Sequence, residues 1–377
     1  MSLMRELEMR ALKRRVPLSV QLDITYRCNE RCIHCYLDHD DHGEMTNSEI
    51  RDLLDQFADA GVFFLTLSGG EVFMRRDFFD IVEYARSLMF SVKIKTNAFM
   101  VRENEAQKLR DLAVQDVQVS IYSHRPEVHD AITLLPGSLK RSVAGIRLLR
   151  AHGVKVVVAN VLMMQNLNDQ AGVKALAEEL GAQYRIDPTI TPMMDGDRSV
   201  LQLGLGGAQL HDVFRDSSVV GDVDEFCAPP APLSDDLTKL LPCSAGHTAC
   251  YVSPYGDVFP CVQFPLPSGN VRRQRFLDIW RHSDQLNEVR SITAADLPVC
   301  SGCSHVGTCT RCPGLAYQEG NMRGPSSQDC EKSYARTGIP SANMILRKAS
   351  QAPRGLVQIM AANPAAISEH YGESNCG

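Results

Sequence analysis

One tryptophan in 377 residues, no long apolar run and no excess of either charge narrow the field before any motif is read. No stretch approaches the ~20 consecutive apolar residues that span a bilayer. The opening MSLMRELEMRALKRR is charged where a signal peptide would carry an apolar core. A cytoplasmic protein is expected. Lysine plus arginine number 39 against 45 acidic residues, mixed along the chain, for a net charge of −6. That balance leaves no basic footprint for nucleic acid. Apolar residues still make up 44%, enough for one large domain and a smaller one. Cysteine is absent between positions 35 and 227, which makes its abundance elsewhere informative.

A strand–helix rhythm fills residues 18 to about 190. Strands are predicted at 18–24, 62–67, 91–95, 117–121, 154–158 and 183–186. Helices are predicted between them, at 46–60, 77–89, 103–113, 138–152 and 169–180. Thr46 and Glu49 form a capping box at the first of these helices, and Gly61 stops it. Six alternating units predict an α/β fold with a parallel sheet, a partial (β/α)6 barrel short of the eight units of a TIM barrel. Active sites of such barrels lie at the C-terminal strand ends. The chain divides into an N-terminal extension (1–17), the barrel (18–199), a Gly- and then Pro-rich connector (200–242), a cysteine-dense domain (243–335) and a tail (336–377). Helical patterning recurs in the tail at 342–349 and 355–362.

In a reducing compartment the 13 cysteines suit metal binding better than disulfides. Directly after the first predicted strand comes CNERCIHC, that is Cys28-x3-Cys32-x2-Cys35. Three thiolates in one short loop can bind three irons of a cubane and leave the fourth open to a ligand, whereas electron-transfer clusters usually have four cysteine ligands. A zinc knuckle completed by His34, His39 or His42 is the plainer alternative. The loop's position at the catalytic end of the first strand argues against it.

These residues resemble the radical S-adenosylmethionine superfamily, whose three-cysteine loop follows the first strand of a partial barrel. The resemblance implies a [4Fe–4S] cluster whose open iron binds the methionine moiety of S-adenosyl-L-methionine. Reductive cleavage would then yield a 5′-deoxyadenosyl radical that abstracts hydrogen from substrate. It also implies cofactor contacts at His34 beside adenine, at the Gly69-Gly70-Glu71 turn for the methionine ammonium, at Asn97 near the ribose, and at Ser120. Two glycines in that turn let a backbone approach a ligand closely. The family pattern is altered at Val72, at Ser120-Ile121-Tyr122-Ser123, and at Thr133, where an arginine is usual. Arg125 and Arg141 are the candidates to replace that arginine.

The second cysteine region reads Cys243-x6-Cys250-x10-Cys261, then Cys300-x2-Cys303-x5-Cys309-x2-Cys312, then Cys330. Eight thiols suffice for two fully ligated cubanes. Two zinc sites are the alternative, but five residues between the CxxC pairs is short for a zinc ribbon. This pattern, with Gly256 five residues before Cys261 and the segment LDIW at 277–280, is similar to the SPASM domain. The resemblance implies one auxiliary cluster on Cys243, Cys250, Cys261 and Cys312 and another on Cys300, Cys303, Cys309 and Cys330. With the first cluster that makes three [4Fe–4S] clusters. Cys227 and Cys376 fit neither set.

The SPASM resemblance implies a peptide or protein substrate, most plausibly a ribosomally synthesised peptide, and an electron donor such as flavodoxin or ferredoxin. The 17 residues before the first strand are too few for a leader-binding fold, so a separate leader-binding protein is expected. Val262 stands where sulfatase-maturating relatives carry a catalytic aspartate, which disfavours that activity. Two other readings remain: a tetrapyrrole-modifying enzyme and a non-enzymatic iron–sulfur electron carrier. The segment His39-Asp40-Asp41-His42 reads as a solvated loop. Asp187, Asp195 and Asp197 read as turn residues, Tyr122 and Tyr184 as barrel-wall packing, and Trp280 as packing in the second domain. No catalytic acid or base is legible.

Overall fold

The computed structural model describes residues 3–230, 237 and 241–351. The helical pattern at 355–362 and Cys376 lie outside the described residues. Six parallel strands alternate with helices: β1 (Ser19–Thr25), β2 (Phe64–Gly69), β3 (Ser91–Thr96), β4 (Asp116–Ser120), β5 (Val156–Val161) and β6 (Gln183–Asp187). Each pairs with the next in sequence order. The helix Asn47–Ala60 begins as its sequence predicts. Thr46 accepts from Glu49 N while Glu49 reaches back to Thr46 N, and Gly61 closes the helix at φ 86°.

Side chains alternate across each strand. On the helix side Val20, Leu22 and Ile24 of β1, Leu65 and Leu67 of β2, and Val92 and Ile94 of β3 join Leu53, Phe57 and Ile81 in one apolar core. The opposite face of these strands carries Gln21, Asp23, Thr66, Ser68, Lys93 and Lys95. A parallel sheet buried only for stability is apolar on both faces. Here one face is spent on the core and the other is kept polar, facing the lumen.

The sheet does not end at β6. The cysteine-rich region adds β7 (Ala249–Val252), β8 (Asp257–Phe259) and β9 (Gly269–Asn270). Strand β7 pairs in parallel with β1, with Val20 opposite Cys250 and Leu22 opposite Val252. Strands β8 and β9 follow antiparallel. The order is β6-β5-β4-β3-β2-β1-β7-β8-β9. The barrel is therefore open, with β6 and β9 as its edges, and β1 lies inside the sheet. Trp280 is buried against Phe276, and its indole N–H donates to Arg15 O at 2.6 Å. Within the connector, Leu210, Val213 and Phe214 pack with Leu162 and Ala335.

Candidate active site

The loop bearing Cys28, Cys32 and Cys35 leaves the C-terminal end of β1 without regular structure. Backbone hydrogen bonds from elsewhere hold it. Arg31 N donates to Thr133 O and Ile33 N to Ile132 O, both at 3.0 Å, and Met194 N donates to Tyr36 O at 3.0 Å. Thr133, the departure from the family pattern, thus supplies a carbonyl to the loop. Farther along, Met45 N donates to Pro254 O at 2.7 Å, and the Tyr255 hydroxyl donates to Asp40 O at 2.7 Å. The cysteine-rich region therefore braces the loop.

The thiols are surrounded by N–H donors. Glu30 N points at Cys28 Sγ at 3.4 Å, and the backbone N–H groups of Tyr36 and Leu37 point at Cys35. Such donors suit thiolate sulfur. Burial, the largest cause at each, pushes the Cys28 thiol up to about 12 and raises Cys32 and Cys35 as well. A metal must displace those protons to bind. Buried polar atoms without a partner among the described residues gather here: Asn29 Nδ2, Glu30 Oε1, His34 Nδ1 and His129 Nε2. Orphaned polar groups of this kind fit a site built around a cluster and a polar cofactor. No three His, Cys, Asp or Glu side chains among the described residues converge closely enough for one metal ion. A cubane, with its ligands at the corners of a larger body, needs wider spacing.

Glu30 was not foreseen. It is 3% exposed, its carboxyl is pushed up to about 7 by burial, and Cys32 Sγ lies 3.4 Å from its Oε2. A charged residue in the middle of CNERC was the available signal. His34 meets Tyr122 edge-on at 4.7 Å, and Tyr122 stacks on His129 at 5.5 Å. Burial lowers both imidazoles to about 4, so they are neutral. Tyr122 packs with Cys32 and Ile33 rather than in the main core.

A Cβ on Gly69 would lie 2.0 Å from Thr25 O, and one on Gly70 would lie 2.5 Å from both Tyr26 O and Arg27 O. The glycines therefore admit the backbone that leads into Cys28. Glu71 is fully buried, and its carboxylate accepts from Thr96 Oγ1, Asn97 N and Phe73 N at 2.8 to 3.1 Å. It is a positioning residue that ties the end of β2 to the end of β3. Asn97, so placed, donates to Asn29 Oδ1 at 2.9 Å. Ser120 is half-buried and bonds to Tyr122. Arg125 is committed to Asp169 at 2.8 Å, whereas Arg141 makes only a long bond to Phe99 O, at 3.5 Å.

In the second region Cys300, Cys303, Cys309 and Cys330 line one cavity of about 150 Å³. Ser333 Oγ points at Cys309 Sγ and Ala342 N at Cys303 Sγ, both at 3.4 Å, with Asn343 Nδ2 3.8 Å from Cys330 Sγ. Four thiols with donors around a cavity fit a fully ligated cluster. Nearby, Cys261 interacts electrostatically with Cys243 and with Cys312. Each has backbone donors: Ala245 N to Cys243, Val262 and Gln263 N to Cys261, and Gly314 and Leu315 N to Cys312. Cys250 departs from the expected set. It is 4% exposed, sits in the helix-side core with Val20, Leu22 and Trp280, and has no hydrogen-bond donor. Its place in β7 aims it at the core.

Residues 22–177 match the radical SAM superfamily model, and residues 243–304 match the SPASM iron–sulfur cluster-binding domain. The chain carries a radical SAM domain followed by a SPASM domain. It is 28% identical to the AdoMet-dependent heme synthase of Methanosarcina barkeri, over 80% of the chain and 92% of that protein. It is 27% identical to the mycofactocin maturase of Mycobacterium tuberculosis, over 90% and 89%. Its fold matches Streptococcus suis SuiB, crystallised with precursor peptide SuiA, at a TM-score of 0.69 and 17% identity, over 86% and 79%. The radical SAM domain binds S-adenosylmethionine and a [4Fe–4S] cluster, and the SPASM domain binds auxiliary clusters.

The segments expected to be bystanders behave as such. His42 pairs with Asp38 at 2.8 Å on the surface. Asp187, Asp195 and Asp197 each accept a backbone N–H two residues on, as turn residues do. The Tyr184 hydroxyl donates to Asn160 in the wall. Among the described residues no helix is long and apolar enough to cross a membrane.

Proposed function

We propose that this radical SAM enzyme acts on a ribosomally made peptide. The observation that carries the reading is the open side of the sheet. Among the described residues β6 is an edge strand with Gln183, Arg185 and Asp187 exposed, beside a lumen lined by polar side chains. An extended chain can enter laterally there, where a closed barrel would admit only a small molecule through its mouth. The name of the mycofactocin maturase, a relative across nine-tenths of the chain, agrees with this.

When bound, the first cluster and S-adenosylmethionine supply a carbon radical that removes hydrogen from substrate. In the proposed ligand sets Cys28, Cys32 and Cys35 hold that cluster. Cys243, Cys261 and Cys312 hold the first auxiliary cluster, and Cys300, Cys303, Cys309 and Cys330 the second. His34, Asn97 and Ser120 face the cofactor, while Gly69, Gly70 and Glu71 shape its turn. A flavodoxin or ferredoxin as electron donor and a separate leader-binding protein complete the proposal.

The relation to the heme synthase supports a second reading, a tetrapyrrole substrate. The two are separated by anaerobic reconstitution with dithionite and S-adenosylmethionine. Short peptides encoded beside the gene and a porphyrin carboxylic acid are offered in turn. Mass change in a peptide, with stimulated release of 5′-deoxyadenosine, is expected. Turnover of the porphyrin alone overturns the peptide reading.

A further inference from the structure

We propose that Arg311 raises the reduction potential of the second auxiliary cluster above what four thiolates alone would set. The proposal rests on that cluster being held by Cys300, Cys303, Cys309 and Cys330. Arg311 lies in the run Cys309-Thr310-Arg311-Cys312, whose two cysteines serve different auxiliary sites in the proposed ligand sets. Its side chain is buried, at 8% exposure. Nε donates to Gly324 O at 2.9 Å, and Nη2 donates to Gly324 O at 2.6 Å and to Met322 O. These carbonyls fix the guanidinium plane without neutralising it.

Nη1 is buried and has no partner among the described residues. Among the described residues no carboxylate pairs with Arg311. Asp329, the carboxylate lining the same cavity, is taken by Lys332 at 2.8 Å. The guanidinium lines the four-thiol cavity and also the smaller adjoining one that contains Cys243. A buried cation without a counter-ion is costly, and so is a buried N–H without an acceptor. Both costs disappear if the cavity holds a body of net negative charge with sulfur acceptors. A four-thiolate cubane is such a body.

Reduction adds one more negative charge to that body. A fixed cation beside it therefore stabilises the reduced form more than the oxidised form, and cluster potentials respond to local charge and to hydrogen bonds at sulfur.

The test uses the full chain with Cys28, Cys32 and Cys35 replaced by alanine, so that the remaining iron belongs to the auxiliary sites. The parent, Arg311→Gln and Arg311→Lys are reconstituted, their iron is counted, and reductive titrations are followed by electron paramagnetic resonance. At equal iron, Arg311→Gln is expected to lower the midpoint of the second auxiliary cluster. The shift should be at least tenfold in the ratio of reduced to oxidised cluster at fixed poise, about 59 mV for one electron. Arg311→Lys keeps the charge and should shift less. If the glutamine variant fails to load, Arg311→Met, which also removes the charge, decides: a lowered midpoint supports the proposal and an unchanged one overturns it. A shift confined to the first auxiliary cluster, whose signal Cys261→Ala removes, also overturns it. Parent iron of only about four per chain would remove the cluster assignment, and the role of Arg311 with it.

Discussion

The loop around Cys28, Cys32 and Cys35 and the cavity around Cys300, Cys303, Cys309 and Cys330 solve one problem in two ways. The first is an irregular loop held from outside by the carbonyls of Ile132, Thr133 and Pro254, by Met194 N–H donating to Tyr36 O, and by a glycine turn with no spare volume. Its polar groups include several without partners among the described residues. The second is a pocket whose sulfurs are met by Ser333, Ala342 and Asn343. Both keep buried polar atoms unpaired among the described residues, Asn29 Nδ2 and His34 Nδ1 at the first and Arg311 Nη1 at the second. They differ in how the cysteines are held: an irregular loop fixed by backbone contacts at the first, and side chains that reach the sulfurs at the second.

The comparison breaks most visibly at the thiols. Replacing Cys28, Cys32 and Cys35 together by alanine should abolish 5′-deoxyadenosine release while about eight irons per chain remain, four for each auxiliary cluster. Chromatography and an iron assay measure both. Loss of all iron would mean that the two regions are not independent.

Next in size is Gly70→Ala. The added methyl group meets two carbonyl oxygens at 2.5 Å, and overpacking against backbone costs about 1–3 kcal/mol or more. The variant should lose iron from the first cluster selectively and show a lower Tm. Full iron at the first site would show that the turn can yield.

Acidification sharpens the contrast. His34 and His129 flank the first site and have folded values near 4 against an ordinary 6.5. The folded state binds fewer protons, so their contribution is fully present above about 6.5 and is lost as pH falls toward 4. The Tm of the metal-free protein should drop between pH 7 and 5, and His129→Gln should flatten that slope. An equal slope in the variant would rule out His129 as a contributor.

The smallest effect is expected at Cys250→Ala, for which about 1 kcal/mol of core stability is lost. Its iron content should match that of the parent, whereas Cys261→Ala should lose about four irons. Equal losses from both variants would return Cys250 to the ligand set.

The strand–helix rhythm and the Thr46–Glu49 cap were legible because they are local patterns of spacing, whereas the grouping of Cys300, Cys303, Cys309 and Cys330 came from the resemblance to the SPASM domain. The side on which Cys250 falls was not legible. It depends on the register of β7 against β1, and no local pattern specifies a pairing between segments so far apart. The glycines at 69 and 70 were legible as a tight approach, but what approaches them is again a matter of register. Glu30 shows the converse. A charge among cysteines stands out in the sequence, yet only burial makes it unusual.

The parallel pairing of Ser19 with Ala249 also bears on the birth of the chain. One flank of β1 stays unpaired until residues synthesised 230 positions later (249 − 19) have emerged, roughly 10–50 s at the usual pace of translation. During that interval the strand that presents the catalytic loop is an open edge, with the aggregation hazard such edges carry. Iron delivered to the nascent chain would meet a loop that still lacks its brace from Pro254 and Tyr255. The braced form of the loop exists only after the ribosome has passed the SPASM strands.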